Sequence, residues 1–198
     1  MKIYLIRHAE TEWNVSKKLQ GWGDGPLTEN GKLQSSRLGK RLQSMNFNSI
    51  YCSTSGRART TLSIALGDSN ADYLDSLREI SLGAWEGKDQ SDIEKSNPVQ
   101  FENFWHHPEN FTGDGGETFL DVCRRTGDIL RLLAQKEQGD FIIMSHTIAI
   151  RAMIVSVLGK DVSEIWDGEY LKPTSITCLD YNSGNFKLIY FGDANHLE

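Results

Sequence analysis

Reactive side chains follow directly on short apolar runs at four places in this sequence. Arg7-His8 follows the first, Ser53-Thr54-Ser55-Gly56-Arg57 the second, Leu77-Arg78-Glu79-Ile80 a short third, and His146 follows Phe141–Ser145. If each run is a strand of one open sheet, these groups gather beyond the carboxyl ends of the strands, where such sheets bind ligands. The set suits a phosphoryl group. Arginines would neutralise it, an imidazole nitrogen would attack it, and a carboxylic acid would protonate the leaving oxygen. Each residue alone also has a plain reading. A histidine after a strand is often a cap, an arginine at a helix start is often solvated, and Glu79 could be a surface charge. Spacing alone goes no further.

The elements that must position these residues read as an alternation of strands and helices, which argues a parallel α/β sheet. Lys2–Ile6, Ser49–Ser53, Asp72–Leu74 and Phe141–Ser145 are expected strands. Thr28 to about Met45 is an expected helix, with Thr28 as N-cap and Leu33, Leu38, Leu42 and Met45 on one face. Ser55–Leu66, Thr118 to about Lys136 and His146–Leu158 are further helices. Ser175–Tyr181 and Phe186–Phe191 flank Asn182-Ser183-Gly184-Asn185, a four-residue loop that predicts a C-terminal hairpin and an antiparallel sheet edge. The stretch from about Gly83 to Thr118 breaks the pattern. It is rich in aromatic residues, prolines and glycines, and reads as an insertion of short helices and loops.

Composition sets limits on all of this. At 198 residues and 38% apolar content the chain fits a single globular domain rather than a disordered or repetitive one. No apolar run approaches the roughly 18 residues of a membrane helix. The net charge of −6 disfavours nucleic acid and anionic membranes as partners, but not a small anion held by a few arginines. Cys52, Cys123 and Cys178 are odd in number and far apart, as expected of reduced thiols. The first residues lack a signal peptide's apolar run, so a cytoplasmic location is expected. No metal-ligand spacing is present, so neither metal nor cofactor is expected.

Arg7-His8-Ala9-Glu10-Thr11-Glu12-Trp13-Asn14 resembles the Arg-His-Gly-x-Thr-x-x-Asn signature of the histidine phosphatase superfamily, the phosphoglycerate mutase-like enzymes. Gln20-Gly21-Trp22, Pro26–Gly31, Ser53–Ala58, Leu77–Ile80, Gly83–Gly87, Gly115–Glu117 and Ser145-His146 follow in the family's order, so the resemblance spans nearly the whole chain. Trp85–Lys88 and Phe101–Pro108 are similar to the bacterial broad-specificity phosphatases. Ala9 and Thr147 replace glycines usual after each histidine; Thr147 is expected to narrow the pocket or add a hydroxyl contact.

The resemblance implies a three-layer α/β/α sandwich whose mostly parallel central sheet has an antiparallel C-terminal edge, with the insertion at about 83–118 as a cap. It implies a metal-independent phosphomonoesterase acting on a small phosphorylated substrate, as a monomer or homodimer. His8 would be the nucleophile and form a phosphohistidine. Arg7 and Arg57 would clamp the phosphoryl oxygens, His146 and Asn14 would donate hydrogen bonds, and Gln20, Gly21, Trp22 and Thr147 would contact substrate. Glu79 would be the proton donor, with Glu86 its rival. Trp22, Trp85, Phe104, Trp105, His106 and Tyr170 would roof the leaving group, or simply pack together. Glu10 and Glu12 would be near the mouth or on a solvated turn. The alternatives are a cofactor-dependent phosphoglycerate mutase, a narrow-specificity enzyme such as an α-ribazole phosphatase or a fructose bisphosphatase acting on the 2-position, and a non-catalytic phospho-ligand binder. The mutases carry paired Arg and a Lys in the insertion; Gly87–Asp114 holds only Lys88 and Lys95 and no Arg.

Overall fold

The computed structural model describes residues 1–67 and 69–198. β1 (Lys2–Arg7) is buried along its whole length after Lys2. Its side chains alternate between two faces, as strand geometry requires. Ile3 and Leu5 join one apolar cluster with Phe141 and Ile143, while Tyr4 and Ile6 join another with Ile142 and Met144. A strand buried on both faces needs helices above and below it.

The chain supplies them in sequence. After the single turn α1 (Glu12–Val15) come α2 (Glu29–Leu42), β2 (Ser49–Ser53), α3 (Gly56–Leu66) and the short β3 (Asp72–Leu74). α4 (Gln90–Ser96) and α5 (Pro98–His106) lie in the aromatic insertion. α6 (Phe119–Lys136), β4 (Phe141–Ser145), α7 (Thr147–Leu158), β5 (Ile176–Asn182) and β6 (Asn185–Asp193) complete the fold. The six strands form one sheet in the order β3-β2-β4-β1-β5-β6. The first four of that row are parallel; β5 and β6 are antiparallel. α2 and α3 cover one face and α6 and α7 the other, which makes the expected three layers.

A third apolar cluster belongs to the insertion. Trp85, Phe104, Phe111 and Phe119 pack with Val122 of α6 and Ile148 of α7. Phe104 is the hub, with ring centroids 5.2 Å from both Phe111 and Phe119. α6 starts crisply because the Thr118 hydroxyl accepts from the Asp121 amide while the Asp121 carboxylate accepts from that of Thr118, a capping box.

Two details correct the sequence reading. α2 begins at the expected cap, Thr28, but ends at Leu42 rather than Met45, and Leu33 is exposed rather than inward. Its buried face runs through Gly31, Ser35, Leu38, Gly39 and Leu42. A Cβ on Gly31 would lie 2.1 Å from the Glu10 carbonyl oxygen, and one on Gly39 2.3 Å from that of Ala65. Backbone contact at these glycines sets the helix rotation and turns Leu33 outward. The hairpin loop is two residues, not four: Asn182 and Asn185 pair, leaving Ser183 at φ 49° and Gly184 at φ 88°. Two left-handed central residues match the twist of the flanking strands. Among the described residues no helix is long and apolar enough to cross a membrane. The three cysteines are buried free thiols.

Candidate active site

The pairing of β1 with β4 places the two histidines side by side. Arg7 is in register with Ser145, so His8 and His146 each stand one residue past parallel neighbouring strands. Their ring centroids are 5.1 Å apart. His8 Nδ1 lies 2.7 Å from the Ala9 carbonyl oxygen. A carbonyl can only accept, so Nδ1 carries the proton and Nε2 keeps the lone pair. Arg57 Nε donates to that Nε2 at 3.3 Å. Burial, then the charges of Arg57 and Arg7, push the His8 pKa well below its ordinary 6.5, so the ring is neutral and a free base at physiological pH.

His146 is fully buried, and its Nε2 lies 2.8 Å from Ser53 Oγ and 3.2 Å from Ser55 Oγ. Its Nδ1 has no protein partner. Burial and then Arg57 hold it neutral as well. Arg7 donates to the Tyr170 hydroxyl at 2.7 Å and to the Leu171 carbonyl, which leaves its buried Nε unpartnered. Arg57 is anchored more fully. Its Nη1 donates to the Gly23 carbonyl at 2.7 Å and to Asp24 at 3.1 Å, and its Nη2 to the Gly21 carbonyl at 2.8 Å. Gly21 sits at φ 52°, the left-handed region, which turns that carbonyl inward.

Glu79 replaces a helix cap. His146 occupies the N-cap of α7 without a side-chain capping bond. The Glu79 carboxyl accepts instead from the amides of Ile148 at 3.1 Å and Ala149 at 2.9 Å, and from its neighbour Ile80 at 3.1 Å. These donors and Arg57 favour the carboxylate, but burial outweighs them and raises the pKa above 4.5. A carboxyl that keeps its proton longer is suited to donate it.

These groups open on one cavity of about 410 Å³, lined by Arg7, His8, Asn14, Gln20, Arg57 and Glu79 among others. Gly21 and Thr147 line it too. Asn14 Oδ1 is taken by the Thr11 amide and hydroxyl, so its Nδ2 donor is uncommitted. Gln20 is buried, with an unpartnered Oε1. His146 stands behind His8 rather than in the lining.

Other expected contacts fall elsewhere. Phe104, Trp105 and Tyr170 line the cavity, but Trp85 is 2% exposed inside the insertion's own cluster and His106 faces solvent. Trp22 is outside the lining: its indole N–H donates to the Glu79 carbonyl at 2.8 Å and its ring packs under Arg78. It braces the Glu79 backbone. Glu86 accepts from the amides of Trp22 at 2.9 Å and Leu82 at 3.0 Å and does not reach the cavity, so it ties two loops together. Glu10 accepts from the Thr28 hydroxyl at 2.6 Å, and Glu12 is exposed in α1. Sequence reasoning missed Asp24, the acid that fixes Arg57, and Lys17, Lys18 and Arg151, which bring further charge to the lining. None lies at a strand end or in a repeating pattern that could have flagged it. Among the described residues no group of three or more His, Cys, Asp or Glu is arranged to hold a metal.

The sheet order and the paired histidines define a phosphoglycerate mutase-like enzyme fold. Residues 3–194 match the family model of the histidine phosphatase superfamily (branch 1), and the chain belongs to that family. It is 30% identical over 169 residues to phosphoserine phosphatase 1 of Hydrogenobacter thermophilus, covering 84% of this chain and 80% of that one. It is 28% identical over 212 residues to the probable phosphoglycerate mutase GpmB of Escherichia fergusonii, covering 100% and 95%. Among solved structures, YhfR of Bacillus stearothermophilus superposes with a TM-score of 0.94 at 36% identity, covering 100% and 99%. The phosphoserine phosphatase of Entamoeba histolytica, in complex with 3-phosphoglyceric acid, gives 0.89 at 28%, again covering 100% and 99%. Phosphoserine phosphatases and a probable phosphoglycerate mutase are thus among the proteins it is similar to.

Proposed function

We propose that this protein is a phosphomonoesterase that acts through a phosphohistidine on small phosphorylated metabolites. The observation that carries the reading is the state of His8: a buried neutral imidazole, its Nδ1 proton tied to the Ala9 carbonyl, with its Nε2 lone pair beside a guanidinium. In the first step Nε2 attacks phosphorus, the ester P–O bond breaks, and the Glu79 proton passes to the leaving oxygen. In the second, water attacks the phosphohistidine, Glu79 takes the water's proton, and the N–P bond breaks to restore His8. Arg7, Arg57 and Asn14 would hold the phosphoryl oxygens, with His146 backing His8 from behind, since catalysis of this transfer is mostly positioning and charge stabilisation. Two guanidiniums already in place supply that charge, which supports a reaction without added metal.

Hydrolysis is favoured over mutase transfer by what the insertion contributes. Of its residues, Gln90, Phe104 and Trp105 reach the lining, and none is cationic. The test is phosphate release from a panel of phosphomonoesters, with chelator present, from acid to mildly alkaline pH. Release without metal is expected. No release, with isomerisation of phosphoglycerate once bisphosphoglycerate is added, would establish the mutase instead.

A further inference from the structure

The two guanidiniums beside His8 are committed differently. Arg57 spends four of its five N–H groups within the protein. Arg7 spends two, and both are on Nη1. One goes to the Tyr170 hydroxyl at 2.7 Å and the other to the Leu171 carbonyl. Among the described residues Arg7 Nε and Nη2 have no acceptor, and Nε is buried. Those two nitrogens share one edge of the planar guanidinium, and such an edge meets two oxygens of a phosphoryl group at once. With both Nη1 hydrogens held, the plane is fixed and so is the direction of that edge.

Packing does not account for Tyr170. It is 66% exposed and belongs to none of the three apolar clusters. What it touches is Arg7, through the hydroxyl bond and through a ring whose centroid lies 5.2 Å from the guanidinium carbon. The loop that carries it is pinned from within. Arg151 of α7, only 5% exposed, donates to the carbonyls of Ile165 at 3.0 Å, Asp167 at 2.7 Å and Glu169, and its guanidinium lies 5.8 Å from the centre of the Trp166 ring. The next residue after Glu169 is thereby delivered to Arg7 on a fixed frame. An exposed ring held in this way preorganises the donor it touches.

We propose that Tyr170 is a positioning residue, whose hydroxyl sets the rotation of the Arg7 guanidinium and turns its Nε–Nη2 edge towards the phosphoryl oxygens. The role rests on the phosphomonoesterase reading, with Arg7 as a phosphoryl clamp. It concerns the phosphoryl group common to all substrates, not the organic part that a roof over the cavity would select.

Tyr170→Phe keeps the ring and removes only the hydroxyl. It should weaken the binding of inorganic phosphate, titrated by calorimetry, by about tenfold, the low end for a hydrogen bond to a charged group. It should lower kcat/KM by a similar factor for phenyl phosphate and glycerol phosphate alike, and melt with the wild type. Unchanged phosphate binding, with unequal effects on the two esters, would make Tyr170 a roof residue and overturn the proposal. Arg7→Lys supplies the second arm, because lysine has no fork to orient. In that background Tyr170→Phe should weaken phosphate no further; a full tenfold loss there would mean that the hydroxyl meets the anion itself, and would overturn the positioning role. Both phosphate arms are read without turnover. If they hold while no ester is hydrolysed, the phosphatase reading falls and the role of Tyr170 stands. A wild-type protein that binds no phosphate would remove Arg7 as a clamp, and Tyr170 with it.

Discussion

A single carbonyl decides the tautomer at His8. With Nδ1–H fixed on Ala9, the ring has one usable lone pair, and it faces the side on which Arg57 waits. His8→Ala should therefore abolish turnover while the thermal melt stays cooperative; a normal rate in that variant would end the mechanism. As the proposed acid, Glu79 would act through its proton, so Glu79→Gln should slow esters with poor leaving groups by about 100-fold or more and activated aryl esters far less. Equal losses on both would remove Glu79 as the acid. Glu86 would not replace it, because its carboxylate ties two loops together and does not reach the cavity. The candidate site residues were legible in the sequence because they follow the carboxyl ends of strands. Asp24 was not: it is one acid in a loop, and only the fold brings it to Arg57. Ser53 and Ser55 were visible in place but not in role, since their contact with His146 joins residues about ninety apart.

Elements carry the site through backbone contacts that side-chain patterns hide. The periodicity of α2 suggested a stripe including Leu33, whereas its real face is drawn by Gly31 against Glu10 and Gly39 against Ala65. Gly31→Ala pushes a methyl group into the backbone two residues past His8. It should cost about 1–3 kcal/mol of stability and lower kcat as well. Denaturant melts and kinetics on one preparation check both; an unperturbed variant would mean the packing is slacker than described. The insertion shows the opposite limit. Its aromatic content was obvious, but composition does not distinguish a roof from a core. Trp85 went to the core because Phe101, Phe104 and Phe111 surround it, and Trp105 is one of the rings left for the cavity.

Across the whole molecule, buried titratable groups make stability depend on pH. His8 and His146 titrate near 6.5 when unfolded and well below that when folded. The unfolded chain therefore binds more protons as pH falls past 6.5, and stability present above that pH is lost towards the folded values. Glu79 works the other way: its folded pKa is raised, so its contribution is present below about 4.5 and lost as pH rises through the folded value. With two histidines against one carboxyl, Tm should fall as the pH is taken from neutral to mildly acid, and His8→Asn should make the fall shallower. A Tm that stays flat over that interval would show that the imidazoles are not held neutral. A parallel α/β sheet was legible from the alternation of strands and helices, and the three-layer arrangement from the family resemblance. The positive cavity in a negative molecule was not, because net charge says nothing of where the lysines lie.

The most direct test of the account is to quench the enzyme during turnover of a radiolabelled phosphomonoester and map the label. The account predicts an acid-labile, alkali-stable phosphoryl group on His8 that forms and decays at catalytically competent rates. Turnover with no phosphoenzyme at any quench time, or with the label on another residue, would contradict it.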